Sequence, residues 1–99
     1  MASVRENILS QASDITAGDR EKDYGDPHDN LTNMARLVQA YLFGKHSIEV
    51  DLDSEDMAWI MLLLKIARAS TGYKHDNYVD AAAYAAIAGE CRNTINDRA

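Results

Sequence analysis

The chain has 99 residues, of which 46% are hydrophobic and 26% charged, a balance typical of folded domains and too apolar for disorder. Its net charge of -6 and the absence of a basic stripe argue against binding to a long nucleic acid. The single cysteine, Cys91, excludes an intrachain disulfide and a cysteine-cluster metal site, and it suits a reducing cytoplasm. The longest apolar run covers only residues 57–64, so we expect one domain over residues 1–99 with no membrane span.

Apolar residues at three- and four-residue spacing predict a first amphipathic helix over about residues 3–16. The connector GDREKDYGDP follows over residues 18–27 and is longer than a simple turn requires. Asp26 and Pro27 at its end predict a helix start, because aspartate caps free amides and proline suits the first helical position. The second helix is expected to end at Gly44.

A third helix is predicted over about residues 55–70, with Asp53 or Ser54 as its N-cap. Residues 57–64 are apolar around most of the helix, which predicts a central helix buried on most sides. The alanine-rich fourth helix should span about residues 76–96 and allow close packing. The expected fold is all-α, a compact four-helix domain with a long first loop. A chain this short would complete its core more fully as a homo-oligomer.

Candidate site residues occur where the third helix ends and the fourth begins. Lys65 and Arg68 are neighbours on the helix surface, close to a run that must be buried, so they need carboxylates, a bound anion or water. Asp76, Asp80 and Tyr84 follow at a spacing of four and line one side of the fourth helix. These residues predict either intramolecular salt bridges or a ligand site, and both can be true together.

The first connector supplies two further candidates, Arg20 and Tyr24. An arginine grips phosphate or carboxylate with its planar fork, and a tyrosine can stack on a base or sugar. The alternative is that both residues only hold the connector against the helices. As a cluster with the cations of the third helix, they favour ligand binding.

Asp56 could join Asp76 and Asp80 in a magnesium site, since magnesium prefers carboxylate oxygens. Its simpler role is at the start of the third helix, where negative charge is stabilised. The three histidines are scattered without ligand spacing, so zinc is not expected.

The segments ITAGDREKDYGDPHDN, LVQAYLFG, DMAWIMLLLKIARAS and DNYVDAAAYAAIAGE together resemble a family of small bacteriophage and prophage proteins. The resemblance covers nearly the whole chain and rests on a GDR-x-x-x-YG-x-P loop, LLKIAR and DNYVD in that order. It implies a phage origin and action in the cytoplasm of the host bacterium.

The chain is also similar, more distantly, to the MazG-like all-α nucleotide pyrophosphohydrolases, which are oligomers that use magnesium. Those enzymes hold the metal with E-x-x-E and E-x-x-D pairs on consecutive helices. This chain instead has Glu55 and Asp56 on one helix and Asp76 and Asp80 on the next.

The sequence therefore predicts a non-catalytic phage accessory protein that binds a small phosphorylated, nucleotide-type ligand and sequesters a host defence signal. The expected site contains no metal or other cofactor. Two alternatives stay open: a magnesium-dependent nucleoside triphosphate pyrophosphohydrolase, and a protein-binding inhibitor of a host enzyme. The expected partners are the ligand, further copies of the chain and, for the inhibitor, a host protein, with no long nucleic acid or membrane. The predicted ligand-binding residues are Arg20, Tyr24, Lys65, Arg68, Asp76, Asp80 and Tyr84.

Overall fold

The computed structural model describes residues 2–17 and 25–99, and within these ranges it contains four α-helices and no strand. The helices are α1 (Val4–Thr16), α2 (Pro27–His46), α3 (Ser54–Ala69) and α4 (His75–Arg98). The predicted all-α, four-helix fold is confirmed. Most of the first connector, residues 18–24, lies outside the described residues. None of the described helices is both long and apolar enough to cross a membrane.

The predicted start of α2 is confirmed by its cap. The Asp26 carboxylate accepts a hydrogen bond from the backbone N–H of His28 at 2.9 Å. The predicted end at Gly44 is two residues too early, because α2 continues to His46. Its C-cap is Ser47, which has a φ of 56° and donates its backbone N–H to carbonyls of the last turn. A left-handed residue of this kind is a common helix terminator, and here a serine fills the position usually held by glycine.

A reciprocal pair of hydrogen bonds fixes the start of α3. The Asp53 carboxylate accepts from the Asp56 N–H, and the Asp56 carboxylate accepts from the Asp53 N–H, both at 2.9 Å. This capping box satisfies two backbone donors that the helix itself leaves unpaired. Asp56 therefore has the structural role that its position predicts.

Ion pairs at two separate levels join α3 and α4, which run antiparallel. Lys65 Nζ lies 3.1 Å from Asp80 Oδ2 near the end of α3. At the start of α3, Arg92 of α4 pairs with Glu55 at 2.6 Å and with Asp53 at 3.2 Å. Residues 80 and 92 are twelve positions apart, so the two levels are separated by about 18 Å along α4. These contacts fix the register of the two helices.

Small side chains dominate the buried core. Five of the nine buried hydrophobic residues in the described chain are alanines. One cluster joins α2, α3 and α4, and the other joins α1 to α4. The buried members are Leu31, Ala35, Met57, Ala58, Ala88 and Cys91 in the first cluster, and Ala12, Val79 and Ala83 in the second. Alanines allow the helix backbones to approach closely, as the sequence predicts, but each one buries little apolar surface.

The prediction that α3 is buried on most sides is wrong for a single chain. Its large apolar side chains lie largely on the outside, while Ser54, Met57 and Ala58 are its buried residues. The exposed fractions are 43% for Trp59, 41% for Ile60, 58% for Leu63, 40% for Leu64 and 54% for Ile66. Apolar residues around a helix indicate burial, but they do not say whether the same chain provides it.

The capping box gives a first prediction about stability. Asp53→Ala should lower the free energy of unfolding by about 1–2 kcal/mol, because it removes an N-cap acceptor. Asp53→Ser should restore most of that loss, since serine is also a good N-cap, although it cannot pair with Arg92. Urea unfolding followed by circular dichroism at one fixed protein concentration measures both variants. Asp51→Ala is the matched control at an exposed position, and an equal loss in that variant would contradict the capping role.

Candidate functional site

A cavity of about 540 Å³ lies where α3 ends and α4 begins, and we call it the cationic cavity. Its volume is within the range of small-molecule sites, roughly 300–1,000 Å³. It is formed by the last turn of α3, the connector after it and the first turns of α4. Its lining residues are Lys65, Arg68, Thr71, Gly72, Tyr73, Lys74, Asp76, Asn77 and Asp80.

The charges around this cavity are only partly paired. Lys65 is paired with Asp80, and the two side chains are 15% and 34% exposed. Arg68 and Lys74 have no ion pair within the part of the chain that the structure describes, and neither does Asp76. The salt-bridge prediction is therefore right for Lys65 with Asp80 and wrong for Arg68 with Asp76. Three cations and two carboxylates leave the cavity with a formal excess of one positive charge, in a chain whose net charge is -6.

The N-terminus of α4 opens onto the same cavity. Its N-cap residue, Lys74, makes no side-chain capping hydrogen bond, unlike the N-caps of the other three described helices. Asn77, in the first turn, is only 8% exposed, and its side-chain amide has no hydrogen-bond partner in residues 2–17 and 25–99. Free backbone N–H groups at a helix start and a nearby amide are donors suited to an anion.

An aromatic pair lies at the mouth of the cavity. Tyr73 is 72% exposed, and its ring stacks on Tyr78 with centroids 5.5 Å apart and an interplanar angle of 29°. The Tyr73 hydroxyl lies 3.4 Å from His75 Nδ1, and His75 Nε2 lies 2.9 Å from Gln11 Oε1 in α1. These contacts hold the connector between α3 and α4 against α1.

Sequence reasoning missed Tyr73, Lys74 and Asn77 as site residues. The first two belong to GYKHD, which reads as an ordinary turn, and Asn77 reads as a polar residue on a helix surface. The signal available in the sequence was an aromatic residue and a cation, Tyr73 and Lys74, just after a glycine. In the structure that glycine, Gly72, has a φ of 147°, which allows the sharp change in chain direction.

A second cavity of about 380 Å³, which we call the apolar cleft, lies on the other side of the Lys65–Asp80 pair. It contains Tyr84, so the structure places that predicted ligand residue with Lys65 and Asp80 but not with Arg68 and Asp76. The other two predicted residues, Arg20 and Tyr24, lie outside the described residues. The cleft is lined by Ile15, Thr16, Gly25, Pro27, Asn30, Leu31, Met34, Lys65, Asp80, Ala83, Tyr84, Ile87 and Glu90.

The structure does not assemble the carboxylates required by the magnesium alternative. Asp56 lies in the capping box at the start of α3, whereas Asp80 lies beside Lys65 near its end. No group of three or more histidine, cysteine, aspartate or glutamate residues is positioned to hold a metal ion in the ranges that the structure describes. Asp76 and Asp80 thus share a cavity with cations and not with a third carboxylate.

A partly buried polar contact lies at the other end of the bundle. His28 Nδ1 is 2.7 Å from Ser54 Oγ, and the adjacent Cys91 is only 1% exposed. Burial raises the pKa of the Cys91 thiol, and a hydrogen bond with Ser54 acts in the opposite direction. The thiol therefore stays protonated at neutral pH, as expected for a small core residue and not for a nucleophile.

Comparisons with known proteins agree with the phage resemblance. The chain is 40% identical to the Gene 55 protein of Mycobacterium phage D29 over 81 residues, and this alignment covers 81% of this chain and 50% of that protein. Over 82 residues it is 43% identical to the Gene 55 protein of Mycobacterium phage L5, covering 82% and 49% respectively. The chain thus spans about half the length of the curated relatives it matches. No solved structure matches it.

These relatives confirm the predicted kinship with phage proteins, while the MazG-like resemblance stays a prediction. The family match extends over residues 7–92, which includes most of α1 and all of α2 and α3. The chain belongs to the phage-related family described as Domain of unknown function (DUF6378).

Proposed function

We propose that the protein binds a small phosphorylated, nucleotide-type ligand in the cationic cavity without cleaving it. The observation that carries this proposal is the set of donors around one cavity: two cations without ion pairs in the described residues, an uncapped helix N-terminus and the Asn77 side-chain amide. A phosphate group is the small anion whose charge and several acceptor oxygens match such a set.

The phosphate would occupy the inner part of the cavity. Arg68 can offer two parallel N–H donors to its oxygens, while Lys74 contributes a point charge. The backbone N–H groups at the start of α4 and the Asn77 amide would supply neutral donors. None of the buried side-chain N and O atoms in the described residues lacks a partner, so the unpartnered Asn77 amide reaches solvent and would exchange a water for the phosphate.

The base would stack on Tyr73 at the mouth of the cavity. This ring already stacks on Tyr78, so its position is defined and a base would extend an existing stack. Stacking of a base on an aromatic side chain is worth about 1–3 kcal/mol and tolerates any base. Asp76 could accept a hydrogen bond from a ribose hydroxyl or from a base amino group.

The Lys65–Asp80 pair would form the wall between this ligand and the apolar cleft. Pairing with Asp80 already neutralises Lys65, so its charge is less available than that of Arg68. Tyr84 and the apolar cleft then form a separate region on the other side of this pair.

The phage relatives narrow the ligand classes that should be tested. A phage protein that holds a nucleotide without turnover would sequester it, and the signalling nucleotides that a host makes during infection are the class for which this would benefit a phage. Cyclic dinucleotides and linear oligonucleotide messengers should therefore be tested beside ordinary nucleoside mono-, di- and triphosphates.

Binding should depend on the unpaired arginine of the cavity. Arg68→Ala should weaken the affinity for the tightest nucleotide of the panel by about 10- to 100-fold, as expected for loss of a charge-assisted hydrogen bond. Titration calorimetry measures the affinity, and mass spectrometry of small molecules released on denaturation identifies any ligand that copurifies. Arg36→Ala, at an exposed position of α2 outside the cavity, is the matched control.

The same panel can contradict the proposal. If no nucleotide binds the wild type and none is released on denaturation, the cavity is not a nucleotide site. Retained affinity in Arg68→Ala, with the fold intact by circular dichroism, would also reject the proposed phosphate position.

Magnesium should be dispensable for the proposed activity. The ligand should bind with the same affinity in EDTA and be recovered chemically intact after incubation with magnesium, because the proposed donors are all groups of the protein. Chromatography of the incubated nucleotides checks this expectation. Magnesium-dependent conversion of a triphosphate to monophosphate and pyrophosphate, abolished in Asp80→Asn, would instead support the hydrolase alternative.

A further inference from the structure

The outer side of α3 is a continuous apolar surface, which we call the α3 face. It consists of Trp59, Ile60, Leu63, Leu64, Ile66 and Ala67, all of them exposed. These residues share one side of the helix, since successive residues are separated by 100° in a helix with 3.6 residues per turn. The charged residues of the same stretch project elsewhere: Lys65 pairs with Asp80, and Arg68 lines the cationic cavity.

In a single chain the large apolar side chains are mostly exposed, while the buried core is small. Its buried hydrophobic residues are mostly alanines, whereas fourteen large apolar side chains are exposed in the described chain. The radius of gyration is 15.1 Å, compared with about 13 Å for a typical 100-residue domain. Scattered apolar residues are normal on a protein surface, but a contiguous patch of this kind marks an interaction site.

The exposed area is close to what a homodimer requires. The five large side chains of the face are 40–58% exposed. An aromatic side chain such as Trp59 buries about 150–250 Å², and leucine and isoleucine are no larger than the lower end of that range. Together the five present at most about 400 Å² of apolar surface on each chain. A standard interface buries about 800 Å² of surface per partner. In homodimers about 65% of that area is apolar, which is about 520 Å² per partner. The α3 face therefore supplies a large part of the apolar centre of such an interface.

We infer that the occupant of the α3 face is a second copy of this chain. A core made largely of alanines buries little apolar surface, so a single short chain gains little stability from it. The additional burial is needed whenever the protein is folded. Another copy of the chain is the one partner that is always present with it. In a dimer with a two-fold axis, the same patch of each chain forms the interface. An apolar helix face without charges can pack against its own copy because no like charges are brought together.

The face also indicates where the two-fold axis passes. Its members span residues 59–67, and Leu63 is both the midpoint of that span and the most exposed of the five large side chains. Two α3 helices crossing at their midpoints would bring Leu63 of one chain against Leu63 of the other. The cationic cavity of each chain would remain open beside the interface.

The mass in solution tests the dimer. Sedimentation or light scattering of the wild type at tens of micromolar should give about twice the chain mass of 11.0 kDa. Leu63→Lys should reduce the mass to that of one chain, because a buried ammonium would lie on the axis beside its copy. Leu9→Lys in α1 is the matched control, since Leu9 is 64% exposed and α1 packs mainly against α4. Trp59 is the sole tryptophan and reports the same event through a red shift of its emission.

A cross-link keeps the test decisive if Leu63→Lys fails to fold. Leu63→Cys should form a disulfide-linked dimer on mild oxidation, whereas Leu9→Cys should not do so at the same protein concentration. The native thiol, Cys91, is 1% exposed and should not compete. A larger assembly that still forms the Leu63→Cys link also supports the inference. A wild type with the mass of one chain, or a mass unchanged by Leu63→Lys, would overturn it.

Discussion

The close contact between α3 and α4 is the constraint on which the rest of the structure depends. It is close because α4 presents alanines to α3, and Ala58 and Ala88 are both completely buried. Ion pairs at two levels fix how far one helix slides along the other, with Lys65–Asp80 near the end of α3 and Arg92–Glu55 near its start. The cationic cavity is a direct product of this register, because the end of α3 and the start of α4 then lie together.

The same contact explains why α3 has two such different sides. Packing through alanines brings helix axes close but leaves little room between them for leucine, isoleucine or tryptophan. The large side chains of α3 consequently point away from α4, and the side towards α4 contains Met57, Ala58 and Lys65. A chain of this length would normally bury its large apolar side chains in its own core and gain stability from them. In this chain those of α3 lie on the surface. The inferred dimer returns those side chains to a buried environment.

Local signals were sufficient to predict the helices and most of their ends. Asp26 with Pro27 and Asp53 with Asp56 are capping patterns whose hydrogen bonds involve residues two or three positions apart, so the sequence contains all the information required. The cluster of Lys65 with Asp80 was also predictable, because both are near helix ends joined by a short connector.

Properties set by the tertiary arrangement were not predictable in the same way. An apolar pattern around α3 indicates burial, but it cannot distinguish a core within one chain from an interface between two. The contribution of Asn77 depends on the cavity above it, which exists only once α3 and α4 are in register. The sequence left open whether Arg68 meets a carboxylate, a bound anion or water, and the geometry pairs Asp80 with Lys65 and leaves Asp76 exposed.

The charge distribution limits what the cationic cavity can bind. Outside the cavity the chain carries an excess of carboxylates, since the whole chain has a net charge of -6 and the cavity alone has an excess of one positive charge. At about 0.1 M salt, charges are screened over about 10 Å, a distance comparable to the size of one nucleotide. A short anion in the cavity would therefore feel mainly Arg68, Lys74 and the start of α4. A long polyanion would extend past them to the acidic surface and be repelled, so the proposed site would select its ligand by length as well as by charge.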